Sequence, residues 1–458
     1  MGLRLAAAVT AGKATAAASR LARRGGGATL PGDVARWVDR DVLRDLSRQL
    51  SKGAVLITGT NGKTTTSRLV SLLLEEPGRP VLTNRTGANL IYGLTAAAVA
   101  AAGPGGGLRR DWAVLEVDEA TLPLAVEEVQ PRLVLVGNLF RDQLDRYGEL
   151  EKIARLLHGA LTRLPDGATA VLNADDPRVG EIGLALERPP VWYGLDSPNV
   201  ARPELPHAAD ARVCPRCGRE LEFAAVYVGH EGDYRCPESH FHRPDLTYAG
   251  HDVRLDGLDG VELTVEGSPI SLPLGALFNA YNLLAAYSIG RTLGLEQHVI
   301  ADRLRDAAAA FGRLERIEAR GRRLTILLAK NPASFNEVLL AATELADARQ
   351  VLLALNDRIA DGRDVSWIWD VDFEVLGGRE GMTIVPSGLR AYDLAVRLKY
   401  AEVGGVRAPQ PDFGPALDQL LEATPQGGDC YLLCTYTAML EMRAEITRRG
   451  WARPYWQT

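Results

Sequence analysis

The sequence lacks the features that mark membrane-spanning, secreted and nucleic-acid-coating proteins. It contains no run of about eighteen apolar residues, so we expect no transmembrane helix. Its five cysteines, three of them between positions 214 and 236, do not suit a secreted disulfide framework. A formal net charge of −6 and a pI near 5.8 argue against a protein that coats nucleic acid. We therefore expect a cytoplasmic protein with reduced thiols.

The N-terminal segment is short of acidic residues and of long apolar stretches. Before Asp33 it has no acid and five basic residues: Arg4, Lys13, Arg20, Arg23 and Arg24. Its apolar stretch is alanine-rich and too short for a secretory signal. We expect a helical lead over residues 1–50 that packs on the body of the protein. The alternative is a basic helix that contacts an anionic surface at the cytoplasmic face of the membrane.

The most informative segment is residues 55–66. An apolar β-branched run ends there at a glycine-rich turn, and a helical pattern begins at Gly62-Lys63-Thr64. Such a turn directs backbone N–H groups and the positive end of a helix dipole toward phosphate. The strict phosphate-loop pattern has glycine at position 57, where this chain has Ile57. The segment predicts ATP binding, with Lys63 on the β- and γ-phosphates and Thr64 on Mg²⁺.

The chain is too long for one hydrophobic core, and its pattern divides it into two α/β units. Buried-type strands alternate with helices from residue 55 to about 172, which predicts a parallel sheet with helices on both faces. We predict a phosphate-loop domain over residues 51–317, an insert at 205–245, and a C-terminal Rossmann-like α/β domain over residues 318–458. The predicted strands are Ala54–Thr58, Trp112–Val117, Arg132–Val136, Thr169–Leu172, Leu324–Leu328, Gln350–Leu355, Met382–Pro386 and Asp429–Cys434.

Polar residues follow the predicted strands of the first unit, at the edge where parallel sheets bind ligands. We expect Glu116, in a group of carboxylates that ends one strand, to bind Mg²⁺, since this cation is held by one or two carboxylates. Each of the other polar residues is typical of a turn or a helix cap when taken alone. Together with the phosphate loop, their order resembles the motifs of the ATP site in Mur ligases, and the last two open a predicted helix. The resemblance implies that these residues line a nucleotide site: Asn138, Asn173, Asp175, Asn279 and Asn282.

The insert has the cysteine spacing of a zinc ribbon. Two residues separate Cys214 from Cys217, and eighteen more intervene before Cys236. Ser239 stands where a fourth cysteine is expected, so we predict His240 as the fourth ligand, with His242 as the alternative. The other interpretation is a degenerate ribbon held together by packing. A zinc ion at this site would be structural, because every ligand position is filled.

The C-terminal unit contains an acidic and aromatic segment, Asp361-Gly-Arg-Asp-Val-Ser-Trp-Ile-Trp-Asp370. Within it, Asp364 could simply cap a short helix. Together with Gly59–Thr65, Asn138–Gly148, the cysteine insert and Lys330-Asn-Pro, this segment makes nearly the whole chain resemble the MurT family. These proteins are the Mur-ligase-like subunits of lipid II isoglutaminyl synthases, and amino-acid-adding Mur ligases lack the segment.

Three positions depart from the patterns of these families. Ser239 replaces a cysteine, and Thr435 stands where the MurT family tends to have Asn. Gln143 stands where Mur ligases usually have a metal-binding His.

The resemblance implies a reaction, a set of cofactors and a partner. The α-carboxylate of D-isoglutamate in the lipid II stem peptide attacks the γ-phosphate of ATP, and ammonia displaces phosphate to give D-isoglutamine. A GatD-type glutaminase subunit that binds the C-terminal domain supplies the ammonia. The residues implied in catalysis are Lys63, Glu116 and Asp364, of which Asp364 completes the partner's triad. Those implied at the nucleotide are Gly59, Thr60, Asn61, Gly62, Lys63, Thr64, Thr65, Asn138, Asn173, Asp175, Asn279, Asn282 and Arg313.

Two other functions share the nucleotide half of this interpretation. One is a ligase that joins an amino acid to a UDP-MurNAc-peptide or to folate. The other is a non-catalytic, ATP-binding scaffold for a glutaminase. Intact Lys63, Thr64 and Glu116 argue against the scaffold, and Gln143 argues mildly for it.

Overall fold

The computed structural model describes residues 2–21, 29–84, 88–141, 149–207, 209–306, 316–345 and 349–452. Arg23, Arg24, Gln143 and Arg313 lie outside these ranges, so the expectations for them stay predictions. No helix in the described part of the chain is long and apolar enough to cross a membrane.

The N-terminal lead consists of helices α1 (Leu3–Leu21), α2 (Leu30–Val38) and α3 (Val42–Ser47). Helix α1 packs on α2, and α2 packs closely on the helix at residues 91–101. Glycine permits this approach, since a Cβ at Gly32 would lie 1.9 Å from the carbonyl oxygen of Tyr92. Arg36 of α2 donates to both carboxylate oxygens of Glu128, at 2.6 and 2.7 Å. The lead is therefore joined to the body of the protein.

The central domain is built on the parallel strands β1 (Gly53–Thr58), β2 (Leu82–Thr83), β3 (Trp112–Glu116), β4 (Leu133–Val136), β5 (Thr169–Asn173) and β6 (Val191–Leu195). Strands β2 and β6 were not predicted from the sequence, and the other four lie at the predicted positions. The chain between β6 and the next strand of the sheet contains the cysteine insert. Its hairpin pairs β7 (Glu222–Val228) with β8 (Glu231–Arg235).

Three further strands extend the central sheet at one edge: β9 (Tyr248–Asp256), β10 (Gly260–Val265) and β11 (Ser268–Leu272). Strand β9 is parallel to β6, whereas β10 is antiparallel to both β9 and β11. The order across the sheet is β11-β10-β9-β6-β5-β4-β1-β3-β2. Burial alternates along β10, as expected for an antiparallel edge with one buried face.

Helices cover both faces of this sheet, as the alternation of strands and helices predicts. Leu56 of β1 packs into one hydrophobic cluster, while its neighbours Val55 and Ile57 pack into the other. A strand buried on both faces explains the continuous apolar run at its position in the sequence. The helices are α4 (Lys63–Leu74), α5 (Ile91–Ala101), α6 (Leu122–Val129), α7 (Glu149–Thr162), α8 (Pro177–Leu184), α9 (Phe278–Thr292) and α10 (Gln297–Asp306).

The C-terminal domain has a second sheet, of order β12-β13-β16-β14-β15. Its strands are β12 (Arg316–Ala319), β13 (Arg322–Leu328), β14 (Gln350–Ala354), β15 (Thr383–Ser387) and β16 (Asp429–Cys434). Strand β12 is antiparallel to β13, and the other pairs of neighbouring strands in this sheet are parallel. The predicted domain boundary, between residues 317 and 318, therefore falls within β12. The helices are α11 (Pro332–Leu340), α12 (Ala391–Tyr400), α13 (Phe413–Ala423) and α14 (Tyr436–Arg448). The predicted α/β architecture of both units is thus confirmed.

Candidate nucleotide site and metal centre

The phosphate loop connects the end of β1 to the start of α4. Gly59 and Gly62 have φ values of +136° and +83°, a region that other residues rarely adopt. A Cβ at Gly59 would lie 2.9 Å from the backbone nitrogen of Asn138, and one at Gly62 would lie 2.2 Å from Oδ1 of Asn282. Both conformation and space therefore require glycine at these two positions.

Lys63 lies at the start of α4 with its side chain folded back over the loop. Its Nζ donates to the carbonyl oxygen of Gly59, to that of Thr60 at 3.3 Å, and to Oε1 of Glu119 at 3.1 Å. The Lys63 and Glu119 side chains are only 10% and 15% exposed. Burial raises the pKa of the Glu119 carboxyl, and the Lys63 charge offsets part of that rise. The sequence analysis did not predict the Lys63–Glu119 pair. The only indication in the sequence was that Glu119 is a further carboxylate shortly after β3.

Thr64 and Glu116 form the second contact between the loop and β3. The Thr64 hydroxyl donates to Oε2 of Glu116 at 2.7 Å. The side chain of Asn84 holds Glu116 in place, because it accepts from the Glu116 N–H at 2.9 Å and donates to the Glu116 carbonyl oxygen at 2.8 Å. A hydroxyl and a carboxylate are oxygen ligands of the kind that Mg²⁺ takes. The donor set therefore fits the predicted cation, and nothing in the sequence had singled out Asn84.

The loop after β4 is hydrogen-bonded to the phosphate loop, beginning with the Thr60 N–H, which donates to the carbonyl oxygen of Asn138 at 2.9 Å. The N–H of Asn61 donates to Oδ1 of Asn138 at 2.9 Å. The Thr60 hydroxyl accepts from the N–H of Phe140 at 2.9 Å and donates to its carbonyl oxygen at 3.1 Å. Asn138 therefore shapes the phosphate loop, and its contact with a nucleotide stays a prediction.

Helix α9 provides another wall of the site. Oδ1 of Asn282 accepts from the Thr66 hydroxyl at 3.2 Å, and its Nδ2 donates to Oδ1 of Asn279 at 3.0 Å. Thr65 lies on α4 and is half-buried. A small cavity beside the loop brings together several residues predicted to bind nucleotide. Its lining includes Asn61, Gly62, Lys63, Asn138, Asn173, Tyr281 and Asn282.

Asp175 lies behind this wall, with a side chain that is 0% exposed. Its Oδ2 accepts from the Leu195 N–H at 2.7 Å and from the Tyr281 hydroxyl at 2.6 Å, and its Oδ1 accepts from Nη1 of Arg243 at 3.2 Å. Burial raises the pKa of Asp175 to about 6, although Arg243 and Tyr281 oppose that rise. The carboxylate thus positions Tyr281, and the predicted contact with the nucleotide would require it to leave these partners.

The hairpin of the insert also supports the nucleotide cavity. Nδ2 of Asn173 donates to Oε1 of Glu231 at 2.6 Å, and the Gly232 N–H donates to the Asp175 carbonyl oxygen at 2.9 Å. Glu231 is fully buried, and burial raises the pKa of its carboxyl well above the ordinary value.

The C-terminal domain reaches the phosphate loop through Asn331, which is 0% exposed. Its Oδ1 caps α11 by accepting from the Ser334 N–H at 2.8 Å, and its Nδ2 donates to Oδ1 of Asn61 at 3.2 Å. This residue belongs to the Lys330-Asn-Pro segment, and the contact ties the two domains together at the loop.

Cys214, Cys217, Cys236 and His240 form a candidate metal centre, with ligand atoms all within 4.8 Å of one another. The Sγ atoms of Cys217 and Cys236 are 3.6 Å apart, and Nε2 of His240 lies 3.5 and 3.9 Å from those of Cys214 and Cys236. A tetrahedral ion with Zn–S bonds of about 2.3 Å separates its sulfur ligands by about 3.8 Å. The set therefore fits zinc, and the alternative ligand His242 lies outside the cluster.

Local hydrogen bonds prepare this centre. Burial raises the pKa of the Cys214 thiol, but the backbone N–H groups of Arg216 and Cys217 outweigh it and lower the pKa to about 7. Ser239 has a φ of +58° and its N–H donates to the Cys236 carbonyl oxygen at 2.8 Å. Ser239 therefore keeps the tight turn that brings His240 to the cysteines.

Asp364 lies between β14 and β15 and is half-buried. Its Oδ1 accepts from the N–H of Ser366 at 2.8 Å and from the Ser366 hydroxyl at 2.6 Å. These bonds hold Asp364 against the start of the short turn at Ser366–Asp370, whose N-cap residue is Val365. Its role toward a partner subunit stays a prediction. The following Trp367 is 1% exposed and packs on Phe335, whereas Trp369 is 51% exposed.

Known proteins resemble the chain over nearly its whole length. A family model described as the MurT ligase C-terminal domain matches residues 328–439, and one described as the Mur ligase middle domain matches residues 57–206. The chain is 35% identical over 422 residues to subunit MurT of the glutamine-hydrolysing lipid II isoglutaminyl synthase of Staphylococcus aureus (strain N315), across 92% of this chain and 93% of that protein. The chain belongs to the MurT family. The subunit of the same name from Streptococcus pneumoniae (strain ATCC BAA-255 / R6) is 34% identical, across 94% of each chain.

Solved structures agree on the fold of this MurT family member. A pseudomurein peptide ligase type C from Methanothermus fervidus superposes with a TM-score of 0.67 at 22% identity, and covers 88% of this chain and 80% of that chain. At that identity the likeness shows the Mur ligase fold and nothing of substrate choice.

Proposed function

We propose that this protein is the ATP-consuming subunit of a lipid II isoglutaminyl synthase. It converts the α-carboxylate of D-isoglutamate in the lipid II stem peptide to the amide, through an acyl phosphate, with nitrogen from a glutaminase partner. The observation that carries the proposal is a complete phosphate loop, with Lys63 and the Thr64–Glu116 pair in place, on a chain whose C-terminal domain is of the MurT type. Membership in a family whose relatives are named as subunits supports the need for a partner.

The residues of the loop account for the first half-reaction. A carboxylate oxygen is a poor leaving group and phosphate is a good one, so transfer of the γ-phosphoryl group activates the acid. Backbone N–H groups of Gly62, Lys63 and Thr64 and the ammonium of Lys63 stabilise the negative charge that develops on the phosphate oxygens. Thr64 and Glu116 would hold Mg²⁺, which neutralises phosphate charge when bound. The chain itself needs no nucleophile for this step.

An exposed aromatic surface on the C-terminal domain supports docking of the partner there. Tyr392, Val396 and Tyr400 recur every four residues on α12 and are 65%, 48% and 71% exposed. Trp369 lies edge-on to Tyr400 with ring centroids 5.5 Å apart. Exposed aromatic residues of this kind are enriched at protein interfaces. The segment that contains Trp369 also contains Asp364. In this proposal Asp364 holds the imidazole of the partner's catalytic histidine in the tautomer that the partner's catalytic cysteine requires.

The loop gives the direct test of this function. With the partner, lipid II, glutamine and Mg²⁺, wild-type protein should release ADP in step with amide formation, and Lys63→Ala should lower both at least 100-fold. Lys52→Ala is the matched control, since Lys52 pairs with Glu76 outside the loop. Equal ADP release with an amino acid in place of ammonia would favour an amino-acid ligase. Full amidation by Lys63→Ala would favour a scaffold.

Asp364→Asn tests the second role separately. Activity with glutamine should fall steeply, while activity with ammonium and binding of the partner stay unchanged. Full activity with glutamine would reject the assignment of Asp364 to the partner's triad.

We further propose that the insert holds structural Zn²⁺ through Cys214, Cys217, Cys236 and His240. Protein purified without chelator should contain one zinc ion per chain by elemental analysis, and His240→Ala should lose it. Protein with full cysteine content and no zinc would favour a ribbon held by packing.

Contact with the membrane that carries lipid II is also a proposal. Leu3 and Trp37 of the N-terminal lead are 92% and 86% exposed, and exposed Trp residues partition to membrane interfaces. Sedimentation with anionic vesicles, compared with Trp37→Ser, tests it, and equal binding of the two proteins would reject this surface.

A further inference from the structure

Glu119 lies in the turn between β3 and α6, beside the phosphate loop. This turn is closed by the N–H of Thr121, which donates to the carbonyl oxygen of Asp118 at 2.9 Å. The carboxylate of Asp118 bonds within the turn itself, because its Oδ1 accepts from the N–H of Ala120 at 3.1 Å. The Glu119 carboxylate is instead directed at Lys63, with Oε1 3.1 Å from Nζ. The turn therefore places one carboxylate against the residue predicted to bind phosphate.

The orientation of Lys63 does not require an acid at position 119. The Lys63 ammonium has three donors, and the carbonyl oxygens of Gly59 and Thr60 accept from it as well. These neutral groups hold the side chain over the loop without adding charge. A carboxylate at this place repels the phosphate groups of ATP, because like charges at short range interact unfavourably. The acid is thus unfavourable for nucleotide binding, which points to a use in another step of the reaction.

Glu119 is close enough to the reacting groups to take part in the chemistry. A phosphate oxygen that binds Lys63 lies about 2.8 Å from Nζ. Because Oε1 of Glu119 lies 3.1 Å from the same nitrogen, it lies within about 6 Å of that oxygen. In an acyl phosphate, one oxygen joins the phosphorus to the carbonyl carbon. A group that attacks this carbon therefore approaches within reach of Glu119, directly or through one water molecule.

The surroundings of Glu119 suit a group that accepts a proton. Burial raises the pKa of its carboxyl and the nearby charge of Asp118 adds to the rise, whereas Lys63 and the N–H of Glu119 itself oppose it. A proton acceptor is most effective when its pKa lies near the working pH, and a raised pKa brings a carboxyl closer to neutrality. The Lys63 ammonium favours the ionised form, which is the form that accepts a proton.

We infer that Glu119 accepts a proton from the nitrogen that attacks the acyl phosphate. The inference rests on the proposed function, which forms this intermediate at the phosphate loop. The lone pair of ammonia forms a bond to the carbonyl carbon, and the carbonyl oxygen takes the electron pair of its π bond. The nitrogen then carries three hydrogens and a positive charge. Glu119 takes one of these protons, the carbonyl double bond forms again, and phosphate leaves with the electron pair of the C–O bond.

Removal of this proton decides which group leaves the adduct. While the nitrogen is positively charged, neutral ammonia is the better leaving group, so the addition reverses. After Glu119 has taken the proton, the nitrogen stays bonded as an amine and phosphate leaves instead. The products are the amide, inorganic phosphate and the protonated Glu119 carboxyl, which returns its proton to water. The negative charge beside the loop thus stabilises a cation that exists only in the second half-reaction.

Glu119→Gln tests the inference, because it keeps an oxygen that accepts from Lys63 and accepts no proton at the pH of the assay. The assay contains the partner, lipid II, ATP and Mg²⁺, with either ammonium or hydroxylamine as the nitrogen donor. Hydroxylamine forms a more acidic adduct, which loses its proton to water. With ammonium the variant should form the amide about 100-fold more slowly than wild type. With hydroxylamine it should form the hydroxamate within about threefold of the wild-type rate, since the acyl phosphate is still made. Glu127→Gln, at an exposed position paired with Arg44, is the matched control.

The outcomes separate proton transfer from a structural role of Glu119. Glu119→Asp keeps a carboxylate one methylene further back and should form the amide faster than Glu119→Gln. If Glu119→Gln loses amide and hydroxamate formation equally, the residue only orients Lys63 and the inference is wrong. Unchanged amide formation with ammonium would also overturn it. Should the wild-type complex form neither amide nor hydroxamate, the proposed function itself fails, and that result is visible without any variant.

Discussion

Replacing Asp175 by Asn should change how the free energy of unfolding depends on pH. The wild-type carboxyl is fully buried, and burial raises its pKa to about 6. In the unfolded chain the same group has its ordinary pKa of about 3.9. Between these two values the folded protein binds more protons than the unfolded chain, so the free energy of unfolding falls as pH rises through this window.

The size of the effect follows from the difference in pKa. About two units at about 1.36 kcal/mol each give about 3 kcal/mol. This contribution is fully present below about pH 4 and is lost as pH rises through about 6. Asn has nearly the same shape and cannot ionise. Its single carbonyl oxygen can keep the two hydrogen bonds from Leu195 and Tyr281, and the loss of the bond from Arg243 does not depend on pH in this range. The unfolding free energy of wild type minus that of Asp175→Asn should therefore decrease by about 3 kcal/mol between about pH 4 and pH 7.

Urea unfolding at a series of pH values measures this difference. Tryptophan fluorescence is the probe, and Trp112 on β3 and Trp192 on β6 are the two of the seven tryptophans that lie on strands of the central sheet. Glu231, whose carboxyl pKa burial also raises, is present in both proteins and largely cancels. Asp166→Asn, at an exposed position, controls for the substitution itself. A difference that stays flat would contradict the raised pKa. A difference that increases with pH would mean that Arg243 holds Asp175 ionised, and would refute the reasoning.

Three further substitutions test contacts that join the elements of the fold. Arg36→Met should lower the free energy of unfolding by about 3 kcal/mol, because it leaves the carboxylate of Glu128 buried without a partner; urea unfolding measures the loss, and Glu128→Leu in the same chain should recover most of it. Arg202→Met should have a smaller effect of about 2 kcal/mol, since Arg202 is 28% exposed beside Glu337, and should speed hydrogen exchange in α11. Tyr281→Phe should lower the free energy of unfolding by about 1–2 kcal/mol, because a buried carboxylate loses one donor; an unchanged urea midpoint would contradict this.

Local sequence patterns predicted the parts of the site that depend on local structure. The strand, the two glycines and Lys63 form one short segment whose conformation its own residues set. Contacts between distant residues were not predictable in this way. Asn331 and Asn61 are 270 positions apart, and Asn84 and Glu116 are 32 apart. Each of these asparagines resembles an ordinary turn or cap residue in the sequence.

Contacts with distant residues also determine the roles of Asp175 and Thr435, which local sequence patterns could not predict. Asp175 follows a strand in the position of a ligand-binding residue, but Tyr281 and Arg243 enclose it from distant segments. Thr435 stands where the resemblance implied Asn, and its hydroxyl accepts from the Asn356 N–H at 3.0 Å. It thereby joins the end of β14 to the start of α14, a role that only the pairing of the strands reveals.

The insert is far from the phosphate loop in the sequence, but it contacts both the nucleotide cavity and the C-terminal domain. It therefore connects the region proposed for phosphoryl transfer with the domain proposed to bind the glutaminase. On one side, Glu231 of its hairpin bonds Asn173 at the nucleotide cavity. On the other, His207 of the insert pairs with Asp372 of the C-terminal domain, and Arg202, three residues before the insert, pairs with Glu337. Because the insert contacts both the nucleotide cavity and the C-terminal domain, its conformation sets the distance between them. A zinc ion that stiffens the ribbon would fix that distance further. Loss of the zinc ion should therefore weaken nucleotide binding and amide formation together, although none of the zinc ligands lines the nucleotide cavity.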